Sequence, residues 1–366
     1  MKRLLLLGGG HAHVHVLQAL AAEPLAAAQV TLVSPYRRQV YSGMVPGLLA
    51  GHYGIDDCVI PLAPLAAAAG ARFIQASATA LDADAQRVTL STGDEIDFDL
   101  LAIDTGPVMP VDAIAGAREH GWPVRPIEIF IGRWQALLDA ERRGPCDLFV
   151  VGGGAAGVEL AMAIAHRFGD AARVSVVTGG GPVLGGSSAG LQRRVTRALQ
   201  RRDITVIDDS CSEIGPESLR LASGRLLACD LAVLALGASA APWLAASGLQ
   251  CNAQGFVETG PTLQSVSHPA VFAAGDVSSR VDVSHPKSGV YAVRAGPPLA
   301  FNLRCAVDGG ELRQHLPQRH SLALLACGER HAIASWNGWS FEGDWVWRWK
   351  DHIDRAFISR YTLPER

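Results

Sequence analysis

The chain has 366 residues, 49% of them hydrophobic and 18% charged, with a formal net charge of −3. That length supplies roughly two or three cores of about 100 to 150 residues each, and the balance excludes both a disordered tail and a basic nucleic-acid-binding surface. Seven cysteines, with no C-x-x-C pair among them, argue against a disulfide framework or a zinc knuckle and point to a reducing, cytoplasmic setting.

The first predicted element is a strand, Leu4 to Leu7. Met1-Lys2-Arg3 ahead of it imitates a secretory leader, but the apolar run stops at glycine after four residues. Gly8, Gly9 and Gly10 then open an alanine-rich helix whose first turns carry His11, His13 and His15. Strand, glycine turn and helix together form a phosphate cradle, because free N–H groups and the positive dipole end of the helix face the anion. Gly8 and Gly10 occupy the first two glycine positions of G-x-G-x-x-G, while His13 stands at the third and predicts a helix pushed outward. His11 and His15 share a helix face and His13 does not; with no carboxylate or cysteine beside them, no metal is expected.

A second strand, "AQVTLVS" at 28 to 34, ends in Ser34, where such folds usually place an acid for a ribose. The same unit recurs as "LFVVGGGAAGVELAMAIAHRF", in which Gly152, Gly154 and Gly157 complete the glycine pattern. Its own second strand, "ARVSVVT" at 172 to 178, ends in Thr178, again without an acid. Two copies predict two dinucleotide sites, the second with a weakened hold on adenosine ribose. The uncharged window from Leu231 to Leu249 is interrupted by Gly237, Pro242 and Gly248, so it reads as strand, turn and helix rather than as a membrane span.

Three further segments carry a family resemblance. "DFDLLAIDTGP" (97 to 107) resembles the strand ending in A-T-G of two-dinucleotide flavoproteins, with Asp104 in place of the alanine, and "CDLAVLALGA" (229 to 238) is similar to its second-domain counterpart. "HPAVFAAGDVS" (268 to 278) resembles the A-x-G-D flavin motif, whose aspartate, here Asp276, binds a ribityl hydroxyl. In this order the motifs resemble the pyridine nucleotide-disulfide oxidoreductases, particularly type II NADH dehydrogenases and sulfide:quinone reductases. "GGGHAHVHVL", "YSGMVPGLLAGHY" and "WRWKDHIDRAF" resemble the subgroup often fused to selenophosphate synthetase.

The resemblance implies an α/β fold with two Rossmann-like domains and a C-terminal α+β interface domain. The FAD-binding domain is expected at 1–110 and 240–309, the NAD(P)-binding-like domain at 111–239 and the interface domain at 310–366. Implied FAD contacts are Gly8, Gly10, His11, Ala12, Ser34, Arg37, Arg38, Ala78, Thr105, Gly106, Gly275, Asp276, Lys287 and Ser288. For NAD(P)H they are Gly152, Gly154, Gly157, Thr178 and Gly237, and the candidate catalytic residues are Glu159, two after Gly157, and Lys287. Lys287-Ser288-Gly289 resembles the K-T-G-Y start of a helix in sulfide:quinone reductases, which would aim its positive end at the flavin.

Ser42, in "VYSGMVPG", stands where related enzymes carry a redox cysteine, and a hydroxyl cannot store electrons. Cys327 is read as a small core residue. Trp345, Trp347 and Trp349 alternate along a predicted strand, followed by helical spacing through Ile353, Phe357 and Tyr361; the stripe suits domain core, a dimer contact or a membrane-facing entrance. The expected activity is FAD-dependent transfer from NAD(P)H directly to a quinone-like or selenium/sulfur acceptor. The alternatives are a sulfide:quinone-reductase-like enzyme and a flavin-binding accessory protein of selenium metabolism. Expected partners are a small-molecule donor and acceptor, selenophosphate synthetase, a second copy of the chain and a membrane surface met by the C-terminal domain.

Overall fold

The computed structural model describes residues 1–139 and 146–362. In chain order, the elements that position the site are β1 (Lys2–Leu7), α1 (His11–Ala22), β2 (Ala28–Ser34), β3 (Arg72–Gln75), β4 (Leu100–Ile103), β5 (Gly121–Pro123) and β6 (Cys146–Val151). They continue with α2 (Ala155–Phe168), β7 (Ala172–Val177), α3 (Ala189–Gln200), β8 (Thr205–Ile207), β9 (Leu231–Leu234), β10 (Val271–Ala273) and α4 (Gly289–Asp308). The chain closes with β11 (Ala323–Ala326), β12 (Ala332–Trp336), β13 (Trp339–Gly343) and α5 (Asp344–Tyr361).

Two parallel sheets share one plan. The first has the order β10-β4-β1-β2-β3 and the second β5-β9-β6-β7-β8. Their central strands are continuous apolar runs, with Leu4 to Leu7 at most 1% exposed, because a parallel sheet is covered on both faces. In each sheet the first strand runs into a glycine turn and an alanine-rich helix, so both turns lie at the carboxyl ends of the strands, where ligands of such folds bind. The chain enters the second sheet at β5 and returns to the first at β10.

The C-terminal segment forms an antiparallel sheet, β11-β12-β13, packed by α5. That helix corrects the strand predicted through the tryptophans. Trp345 and Trp349, four residues apart, stack at 6.4 Å on the exposed face, while Trp347 turns inward at 9% exposure. Alternate positions therefore imitated a strand although the residues lie on two sides of a helix. Among the described residues, no helix is long and apolar enough to cross a membrane.

Candidate functional site

A cavity of about 670 Å³ opens at the carboxyl ends of the first sheet, walled by the β1–α1 turn, the loops after β2 and β4, and the segment around Asp276. The turn is a cradle that only glycine fits. Gly8 has φ +92°, and a Cβ there would lie 2.4 Å from the carbonyl oxygen of Asp104. At Gly10 a Cβ would lie 2.3 Å from the carboxyl carbon of Asp104. The resulting groove brings bare backbone to the cavity.

His13 shows how the missing third glycine is accommodated. Its ring is fully buried and Nδ1 lies 2.7 Å from the carbonyl oxygen of Gly8. In the second turn the same approach is made by bare backbone, since a Cβ on Gly157 would sit 1.8 Å from the carbonyl oxygen of Gly152. A hydrogen bond thus stands in the first turn where a glycine contact stands in the second.

Of the expected FAD contacts, Gly8, Gly10, His11, Ser34, Arg38, Ala78, Thr105, Gly106 and Asp276 line the cavity. Ala12 is fully buried beneath the turn and donates its N–H to Asp104 Oδ2 at 2.8 Å. Arg37 turns away, its guanidinium 5.8 Å from the Phe73 ring. Gly275 backs Asp104, with a Cβ there falling 2.6 Å from Oδ1. Ser288 caps α4 in extended conformation. Lys287 does not line the cavity: its Nζ donates to the carbonyl of Ser278 and lies 3.8 Å from the Phe256 ring, and burial pulls its ammonium down to about 8.

Several lining groups carried no signal in the sequence. Arg125, in the loop after β5, lies 3.7 Å from Asp276 Oδ2, and Glu128 in the same stretch accepts the N–H of Val40. Burial holds Asp276 above the usual carboxylate range, opposed by Arg125. His11 Nε2 and Gln39 Oε1 are buried without a hydrogen-bond partner at the cavity wall, among the described residues. A glycine cradle, a carboxylate placed for a hydroxyl and orphaned polar atoms facing one cavity fit a dinucleotide with a polar ring, as FAD is.

The second turn repeats the backbone. Gly152 has φ +134° with a Cβ position 2.2 Å from the Ala235 carbonyl oxygen, whereas Gly154 and Gly237 have open space. Thr178 lies just past β7, and its Oγ1 donates to the carbonyl of Ile207 and to Asp208 Oδ1, at 3.3 and 3.4 Å. Asp208 was not visible as a candidate because it follows β8, not β7. A cavity of about 960 Å³ beside it is lined also by Arg193 and Arg197.

Glu159 is neither a solvated helix residue nor part of the first cavity. Its Oε1 accepts the N–H of Ala326 at 2.7 Å, tying α2 to β11, and burial raises its carboxyl to about 7 against the pull of Lys350. Lys350 bonds Asp354 Oδ2 and the carbonyl of Gly43, each at 2.6 Å, so α5 holds the Tyr41–Met44 segment from behind. The i, i+4 spacing of that buried pair is the one sign of it in the sequence. Ser42 faces the cavity; Cys327 is fully buried, its thiol pushed up to about 12 by burial.

Residues 2–296 match the family model described as pyridine nucleotide-disulphide oxidoreductase. A demethylphylloquinone reductase of Synechocystis sp. is 26% identical over 359 residues, covering 93% of this chain and 88% of its own length. An alternative NAD(P)H-ubiquinone oxidoreductase of Arabidopsis thaliana is 26% identical over 355 residues, covering 85% of this chain and 68% of its own. The sulfide:quinone oxidoreductase of Aquifex aeolicus has the same fold, with a TM-score of 0.81 at 19% identity over 99% of this chain and 91% of that one.

Proposed function

Because the chain belongs to the pyridine nucleotide-disulphide oxidoreductase family, and is thereby an FAD-dependent oxidoreductase with NAD(P)H as co-substrate, we propose that it delivers electrons from FAD directly to a quinone. One observation carries this reading: among the described residues no cysteine lines the flavin cavity, and Ser42, in the place of the redox cysteine of the enzymes that this segment resembles, stands on its wall. Without a thiol relay the acceptor must reach the flavin itself. The names of two relatives, a demethylphylloquinone reductase and an NAD(P)H-ubiquinone oxidoreductase, support a quinone in that place.

Bound FAD supplies two-electron chemistry that no side chain can. The protein would hold its pyrophosphate over Gly8 to Gly10, its ribityl chain at Asp276 and its ring beside His11 and the start of α4. Asp276 is the proposed hydroxyl acceptor, and the first amides of α4 would present their positive end to the ring. Lys287 would contribute its positive charge from behind Asp276 rather than by touching the ring. Glu159 and Lys350 would keep α2, α5 and the Ser42 segment in register. NAD(P)H would lie over Gly152, Gly154 and Gly157.

We divide the chain accordingly into an FAD domain (1–110 and 240–309), a nucleotide domain (111–239) and a C-terminal interface unit (310–366). The exposed Trp336, Trp339, Trp345 and Trp349 of that unit would meet a membrane surface holding the quinone or a second copy of the chain.

Anaerobic mixing tests the reading. NADH or NADPH should bleach the flavin, and a water-soluble quinone should restore its colour within the mixing time. Restoration by polysulfide or a selenium oxyanion, with the quinone ignored, would overturn the quinone assignment in favour of sulfur or selenium chemistry and selenophosphate synthetase as partner. A flavin that no nicotinamide reduces would leave an accessory flavoprotein.

A further inference from the structure

We propose that Asp104 is a cofactor-positioning residue whose carboxyl is neutral when FAD is bound, so that taking up the flavin takes up a proton. The proposal rests on FAD as the occupant of the first cavity. Asp104 is 3% exposed and stands at the end of β4, against the cradle. Its Oδ2 accepts the N–H of Ala12 at 2.8 Å and of His13 at 3.0 Å, so a side chain 92 residues away caps α1. Its Oδ1 has no hydrogen-bond donor among the described residues. The carboxyl touches Gly10, the residue whose bare backbone meets the pyrophosphate, and Gly275, which precedes Asp276.

The second fold is a built-in control. Asp104 donates its N–H to the carbonyl of Leu7 at 2.8 Å, and Ala235 does the same to Val151 at 2.9 Å, so the two residues occupy one position of the repeat. With alanine there, Gly154 has open space, and nothing in the turn competes with an incoming phosphate. The first turn alone places a carboxylate against the cradle of an anion.

The surrounding charges make ionisation costly once FAD arrives. Asp276 adds a second carboxyl from the segment after β10. From the loop after β5 comes Arg125, engaged with Asp276 at 3.7 Å, and from the first turn of the helix that follows it (Ile127–Asp139) comes Glu128. On α1, His11 and His13 cannot offset the charge, because burial pulls both down to about 4. Lys287 and His285, ahead of α4, act on Asp276 rather than on Asp104. Burial already holds the Asp104 carboxyl at about 7 without a ligand, against the N–H groups of His13 and Ala12, which favour its charged form. The doubly charged pyrophosphate pushes it further up, because like charges at short range in a dry site favour the neutral form of one partner.

The sign follows from linkage. Below about pH 7 the carboxyl is neutral with or without FAD, and affinity is flat; above it, binding must take up a proton, and affinity falls by up to about tenfold per pH unit. The test is the dissociation constant of FAD, read from fluorescence recovery on serial dilution of the holoprotein between about pH 6 and about pH 8.5. The wild type should show this fall. Asp104→Asn, whose amide oxygen still accepts both α1 N–H groups, should match the wild type at the low end and stay flat to the high end. Asp104→Ala should be flat but weaker throughout. A wild-type constant independent of pH, or an unchanged slope in Asp104→Asn, overturns the proposal while leaving FAD in place. A protein that takes no FAD at any pH overturns the cofactor and this proposal together.

Discussion

The two glycine turns share a backbone but not a chemistry. In both, the first glycine has positive φ and backs onto the neighbouring strand, and the helix begins at the second glycine, with no acidic residue in its first turn. The first turn is then closed in by groups from elsewhere: the Asp104 carboxyl on two helix amides, the His13 ring under Gly8, and Arg125 with Asp276 across the cavity. The second stays open. A turn surrounded by buried, mutually bonded polar groups suits a resident cofactor, whereas an open turn suits a co-substrate that enters and leaves every cycle.

The largest effect should come from breaking the tight backbone approach that the second turn makes and the first replaces with a histidine. Gly157→Ala forces a methyl into the Gly152 carbonyl, 1.8 Å away, and α2 can relieve this only by lifting off β6. A loss of about 2 to 4 kcal/mol is expected in thermal melts, together with loss of flavin reduction by NADH. Gly154→Ala meets open space and should stay within about 1 kcal/mol of wild type, losing only nicotinamide affinity. Equal melting temperatures for the two variants would mean that the tight approach is not made.

Next in size is the resident site. Asp276→Ala should remove the charge-assisted hydrogen bond proposed to the ribityl chain, worth about 1.5 to 3 kcal/mol, and FAD retention after gel filtration should fall by roughly ten- to a hundredfold in affinity. Nicotinamide affinity, measured by titration, should not move. If it falls in parallel, the two turns are not independent sites.

What was legible from the sequence was whatever a short local pattern could encode. Strand, glycine turn and helix recur within a few residues, so both folds and the positions of Gly8, Gly10, Gly152, Gly154 and Gly157 could be read directly. Asp104 could be seen as a departure from the usual alanine, but not as a helix cap, since its partners lie 92 and 91 residues away. Arg125 and Asp208 were invisible for the same reason: each acts on a neighbouring strand's site. The tryptophan stripe failed differently. Three residues alternating at period two fit a strand, and the helical period appears only when Val346, Lys350 and Asp354, all buried on the inner face of α5, are counted with them.

The smallest effect should come from restoring the acid that the second fold lacks. Thr178 follows β7 at the place where a carboxylate usually holds the adenosine ribose, so Thr178→Glu would repair the site if nothing else did that work. However, Asp208 reaches across from β8 to 3.4 Å from Thr178 Oγ1, and so already puts a carboxylate at this edge. A glutamate added there meets a like charge at an exposed site, which costs about 0.2 to 1 kcal/mol and offsets most of its gain. The Michaelis constant for NADH should therefore improve less than about threefold in Thr178→Glu, whereas Asp208→Ala should weaken it by about tenfold. Asp208→Ala should also favour NADPH, because Arg193 and Arg197 line the adjoining cavity and the carboxylate opposing a 2′-phosphate is gone. A tenfold gain in Thr178→Glu, with Asp208→Ala silent towards both nucleotides, would show that the adenosine ribose lies on the Thr178 side alone.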